Sequence, residues 1–83
     1  YKNFAGEIDL IYLDGTTLVF CEVKTRTSEK FGLPREAVTR KKQQKIRLVA
    51  SFYIKNSARK YEHYRFDVME IIDDDITLIK NAF

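Results

Sequence analysis

Apolar and polar residues alternate over residues 7–12, which predicts a strand with Ile8, Leu10 and Tyr12 on one side. Asp14-Gly15 is a hairpin turn signal, and the following residues 17–24 are rich in β-formers. Residues 25–33 are polar, with Gly32 interrupting regular structure, and Pro34 suits the first turn of a helix. Thr39 is placed to cap a second, longer helix from about Arg40 to Asn56. Its apolar positions Ile46, Val49, Ala50 and Tyr53 recur at helical spacing and mark the buried stripe. Residues 64–72 read as a central strand, apolar on both faces. Asp73-Asp74-Asp75 forms a turn before a last strand over residues 76–83. The order strand, strand, helix, strand, strand predicts one small mixed α/β domain over residues 1–83.

Composition narrows the class. Eighty-three residues, 45% hydrophobic with five Tyr and six Phe, support one core, leave no room for a second domain and argue against disorder. No apolar run approaches the ~18 residues of a membrane span, and no charged-then-apolar signal segment is present. A single cysteine cannot staple the domain, and no Cys/His cluster offers a zinc site, so a reducing cytoplasm is the expected compartment. The net charge of +3 is modest, but it is segregated. Between residues 37 and 61 stand Arg40, Lys41, Lys42, Lys45, Arg47, Lys55, Arg59 and Lys60, with no acid among them. Such a helix fits a polyanionic partner, nucleic acid above all. A solvated helix face is the competing explanation.

The hairpin carries the chemistry. A two-residue Asp14-Gly15 turn pairs Leu13 with Thr16, Ile11 with Leu18, Asp9 with Phe20 and Glu7 with Glu22. Glu7, Asp9, Glu22 and Lys24 then share one face, and Ile8, Leu10, Val19, Cys21 and Val23 form a core on the other. Asp9 lies diagonal to Glu22, roughly 7 Å away between backbones, so both reach one ion. Hard oxygen ligands without His or Cys are those Mg²⁺ or Mn²⁺ prefers. Lys24 points to the same side, placed to orient an attacking water or hold a phosphate oxygen. An exposed sheet edge decorated with charge is the alternative.

Gly6-Glu7-Ile8-Asp9-Leu10-Ile11, followed by the run from Leu18 through Glu22-Val23-Lys24 to Arg26, resembles the PD-(D/E)XK nuclease superfamily. More narrowly the chain is similar to the YraN-type, endonuclease-like family, related to archaeal Holliday junction resolvases. The likeness continues through Phe31-Gly32-Leu33-Pro34, Glu36-Ala37-Val38-Thr39, Lys42-Gln43, Arg65-Phe66-Asp67-Val68 and Asn81-Ala82-Phe83. The resemblance implies a restriction-endonuclease-like mixed sheet flanked by helices. It also implies Asp9, Glu22 and the Val23 carbonyl as metal ligands and Lys24 as the catalytic lysine. The "PD" position reads Ile8-Asp9, which keeps the acid. The helix that the resemblance places ahead of the motif is expected to be absent, because the chain begins just before it. Weak metal binding, little turnover and exposed sheet surface favouring a homodimer are then expected.

Gln43 falls on the buried stripe one turn before Ile46, where its amide needs a partner. The resemblance places it toward the metal site, and a plain structural hydrogen bond is the alternative. Cys21 reads as a packed core thiol, and His63 lacks a ligand-spaced partner. Asp67 needs a partner if buried, with Arg65 the nearest. Arg26 joins Arg40, Lys41, Lys42 and Lys45 as a phosphate contact. Three functions follow: a Mg²⁺- or Mn²⁺-dependent nuclease acting on DNA, branched DNA included; a nucleic-acid-binding module without turnover; and a non-catalytic interaction domain.

Overall fold

A computed structural model describes residues 1–26 and 38–83. The short helix expected at Pro34 lies outside those residues. Two ten-residue strands, β4 (Thr17–Arg26) and β5 (His63–Ile72), run parallel at the centre of a four-stranded mixed sheet. Edge strands β3 (Leu10–Asp14) and β6 (Asp75–Ile79) pair antiparallel to β4 and β5 respectively, giving the order β3-β4-β5-β6. A parallel pair cannot be joined by a tight turn, and helix α1 (Arg40–Asn56) lies within the crossover from β4 to β5. The helix has its expected bounds. Thr39 is the N-cap, its hydroxyl accepting the Lys42 N–H at 3.2 Å.

Ile46, Val49 and Ala50 of α1 pack onto Leu18, Phe20 and Val68, with Ile8 and Val38 completing the cluster. This corrects the expected division of faces. The main core lies on the Leu18–Phe20 side, the same side as Glu22, rather than on the Val19–Cys21 side. Val19 and Cys21 are nonetheless fully buried, whereas Leu10 is exposed and Val23 half-buried. β4 is central and covered on both faces, so alternation along it could not tell the two apart. Ile8 joins the core because the expected strand over residues 7–12 breaks at Ile8-Asp9. Before the break, β1 (Lys2–Asn3) and β2 (Gly6–Glu7) form a separate two-stranded hairpin.

The turn differs too. Asp14 pairs with Thr17, so Gly15-Thr16 is the loop and the register is shifted by two residues from the expected one. Gly15 has φ +63°, and Thr16 is not among the positive-φ residues. Glycine at the first central position is the type II′ pattern, whose twist suits a hairpin. An Asp14-Gly15 loop of the mirror type would force Asp14 to positive φ. Asp9 lies outside β3, at the break, so strand parity does not fix its side; its carboxylate nonetheless meets that of Glu22. Across the sheet, Ile72 pairs with Asp75, leaving Asp73-Asp74 as that turn, with Asp73 at φ +53°. The last strand ends at Ile79 instead of continuing to Phe83. Asn81 turns at φ +55°, and the Ala82 N–H reaches back to the Phe66 carbonyl at 2.8 Å.

Burial has a chemical consequence at Cys21. Loss of solvent, then the charge of Asp67, pushes its thiol up to about 11. A thiol so protonated and enclosed is inert near neutral pH. An aromatic disulfide reagent at pH 8 should therefore label Cys21 only after denaturant is added. Labelling of the native protein at the rate of the unfolded chain would show that this face opens.

Candidate metal and nucleic-acid site

The site forms where the β1–β2 hairpin leaves the edge of the main sheet. Gly6 has φ +151°, and a Cβ placed there would lie 3.3 Å from Val49 Cγ2. Glycine thus brings β2 close against α1. The chain then turns through Asp9, whose Oδ2 accepts the Val23 N–H at 2.9 Å. Asp9 stands just before the β3–β4 ladder, which ends at Leu10↔Cys21, and its carboxylate is in hydrogen-bonding contact with that of Glu22.

Glu22 is 7% exposed and Asp9 is exposed. Burial raises the Glu22 carboxyl above its ordinary value, contact with the Asp9 carboxylate raises it further, and Lys42 opposes both. Two cations answer this charge. Lys42 Nζ lies 3.3 Å and Lys24 Nζ 4.0 Å from the same oxygen, Glu22 Oε1. Contact with the Lys42 ammonium, then burial, holds Lys24 below its ordinary value. Gly6, Glu7, Asp9, Glu22, Lys42 and Lys45 line a cleft of about 190 Å³, with Ile46 beside them. Glu7 stands exposed on its rim. Among the described residues, no three acidic, histidine or cysteine side chains converge as a metal cage.

Val23 donates its N–H toward the β3 side. In an extended strand the carbonyl of the same residue projects to that side as well. Asp9 and Glu22 supply oxygen donors, the ligand type that Mg²⁺ and Mn²⁺ accept.

The remaining residues singled out from sequence are placed as follows. Gln43 is not in the cleft: its Nε2 donates to the Val38 carbonyl at 3.0 Å, the structural alternative. Lys42, read from sequence only as a phosphate contact, occupies the position against Glu22 instead. Arg40, Lys41 and Lys45 are exposed at the start of α1. Arg26 Nε lies 3.0 Å from Glu70 Oε1 and is 18% exposed. Glu70, 1% exposed and level with Lys24 in the register, was missed by the sequence analysis. Its signal was a lone acid in the apolar end of a central strand, the same signal that singled out Asp67.

The helix carries six basic residues and no acid among its 17. Arg40, Lys41 and Lys42 fill its first turn, the end where the helix dipole disfavours cations by about 0.3–1 kcal/mol each. Anions nearby offset that cost, and Glu22 supplies one of them.

Fold and site thus define a mixed α/β domain with a cleft of three carboxylates and two lysines under a basic helix. The profile of the uncharacterised protein family UPF0102 matches residues 1–71, and the chain belongs to that family. A UPF0102 protein of Caldicellulosiruptor saccharolyticus is 46% identical over all of this chain and 78% of its own length. Those of Desulfosudis oleivorans and Alkaliphilus metalliredigens are 44% and 45% identical, again over the whole chain and over 69% and 75% of their own lengths. Among the described residues, no helix is long and apolar enough to cross a membrane.

Proposed function

We propose that this protein is a metal-dependent nuclease of the PD-(D/E)XK type that hydrolyses DNA phosphodiester bonds, branched DNA among its substrates. The observation that carries the reading is the Asp9–Glu22 carboxylate pair in a cleft under a helix without acids, with Lys24 Nζ 4.0 Å from Glu22 Oε1. Asp9, Glu22 and the Val23 carbonyl would hold Mg²⁺ or Mn²⁺. Such an ion acidifies a bound water and neutralises charge on a phosphodiester. The protein's own side chains do the rest. Lys24, held below its ordinary value, gives up a proton more readily than a free lysine and hydrogen-bonds a phosphate oxygen. Arg40, Lys41 and Lys45 hold flanking phosphates.

The second reading is a nucleic-acid-binding module without turnover. It draws support from Lys42, which already neutralises Glu22 with a cation of the protein itself. A cleavage assay in Mg²⁺ and Mn²⁺ on linear, flapped and four-way DNA decides between them. Metal-dependent cutting that Lys24→Met abolishes supports the nuclease; tight binding with every strand intact supports the module.

Phosphate contact by the helix has its own test. Neutralising Lys41 and Lys45 together should flatten the log–log salt dependence of DNA binding by about two units. An unchanged slope would return these residues to a solvated face.

A further inference from the structure

We propose that Phe4 is a base-stacking wedge, which takes an unpaired base of a DNA strand whose backbone runs along the basic face of α1. The inference rests on the nucleic-acid reading above but not on turnover. Phe4 sits at the tip of the β1–β2 hairpin and is 87% exposed, the most exposed large apolar side chain among the described residues. Leaving an aromatic ring in water forfeits the stabilisation that burial would bring.

The tip is nonetheless built. The Asn3 side-chain oxygen accepts the Ala5 N–H at 2.8 Å, and the Tyr1 carbonyl accepts the Ile8 N–H at 2.7 Å, which extends the hairpin ladder. The Phe4 and Phe52 rings meet edge-to-face, with centroids 5.1 Å apart and planes at 65°. The contact anchors the Phe4 ring while most of it remains in solvent. Half-exposed Leu48 lies one helical turn before Phe52, and exposed Lys45 and Lys55 flank the pair along the helix.

Charge selects the occupant. An apolar ring beside a helix of six cations and no anion suits a π-faced ligand carrying negative charge at regular intervals. Unpaired DNA has that chemistry. Spacing agrees: Lys45 lines the carboxylate cleft, and Phe52 lies seven residues further along α1, about 10 Å at the helical rise. That distance is about three nucleotides of stacked DNA, at about 3.4 Å of helix axis each. A stacked base at Phe4 would hold a strand end or branch point a short, fixed distance from the carboxylates, so Phe4 would favour interrupted DNA over continuous duplex.

The test is binding without metal, in EDTA, to a blunt duplex and to the same duplex with a three-nucleotide gap. Phe4→Ala should bind gapped DNA about tenfold more weakly, within the range measured for loss of one stacking aromatic, and blunt duplex within twofold of wild type. Phe4→Trp should restore binding. Because the chain has no tryptophan, its indole emission reports the site alone and should be quenched by gapped DNA. Gapped-DNA binding indifferent to Phe4→Ala, or an indole that ignores bound DNA, overturns this inference and leaves the nuclease reading standing. A sedimentation shift from dimer to monomer in Phe4→Ala, with DNA affinity unchanged, assigns the ring to a second copy and also overturns it. Absence of DNA binding by every variant overturns both.

Discussion

Replacing Glu22 by Gln should cut metal-supported DNA cleavage by about 10²–10³-fold, the scale of removing one preorganised electrostatic group from an active site. Stability should move little, within about 1 kcal/mol, because two opposing contributions change together. The amide removes a carboxylate that burial and Asp9 both disfavour, but it also strips Lys24 and Lys42 of their common counter-ion. Those lysines are 23% and 43% exposed, so both can turn toward water. Lys24→Met separates the roles. It should lose cleavage on a similar scale and retain Mn²⁺ binding by calorimetry, whereas Asp9→Asn and Glu22→Gln should lose both. Wild-type cleavage by Glu22→Gln would remove the carboxylate pair from the chemistry altogether.

The parts of this site that sequence disclosed were those set by parity. Strand alternation placed Glu22 and Lys24 on one face of β4, which holds whatever the hairpin register, whereas Asp9 lies at the break before β3 and meets Glu22 from there. Alternation could not show which face α1 covers, since Val19, Cys21, Leu18 and Phe20 are all buried. Helical period placed Gln43 beneath the helix correctly enough to demand a partner. It could not foresee that the partner would be the Val38 carbonyl, while the longer Lys42 side chain reached Glu22. Reach of this kind depends on three-dimensional spacing between helix and sheet, which periodicity does not encode. The β1–β2 hairpin was missed for another reason: each strand has two residues, too few to establish a period.

Asp67 was the opposite case, a buried acid whose need for a partner was plain from sequence, and it sets the largest stability prediction. The residue is fully buried in β5. Arg65 grips it with two hydrogen bonds, Nε to Oδ1 and Nη2 to Oδ2, each 2.8 Å. The Asn81 N–H adds a third at 2.9 Å, tying the chain after β6 back to the sheet. Arg65→Leu would leave a buried carboxylate without its cation, which costs about 3–5 kcal/mol. Total stability for 83 residues is about 4–12 kcal/mol, so this one change should leave the protein close to unfolding. Arg65 also reaches Asp14 at 3.0 Å, and that hydrogen bond, followed by the charge of Lys80, holds the Asp14 carboxyl below its ordinary value of 3.8. A depressed carboxyl stabilises the fold above that ordinary value, and the contribution is lost as pH falls through the folded one. Acid unfolding of wild type should therefore include an Asp14 contribution that Arg65→Leu reduces. The decisive measurement is a urea double-mutant cycle of Arg65→Leu and Asp67→Leu. The double variant should be more stable than Arg65→Leu alone, since it carries no stranded charge and leaves only the Asn81 N–H and the Tyr12 hydroxyl without Asp67 as acceptor. A strictly additive cycle would mean that water, rather than Arg65, satisfies Asp67.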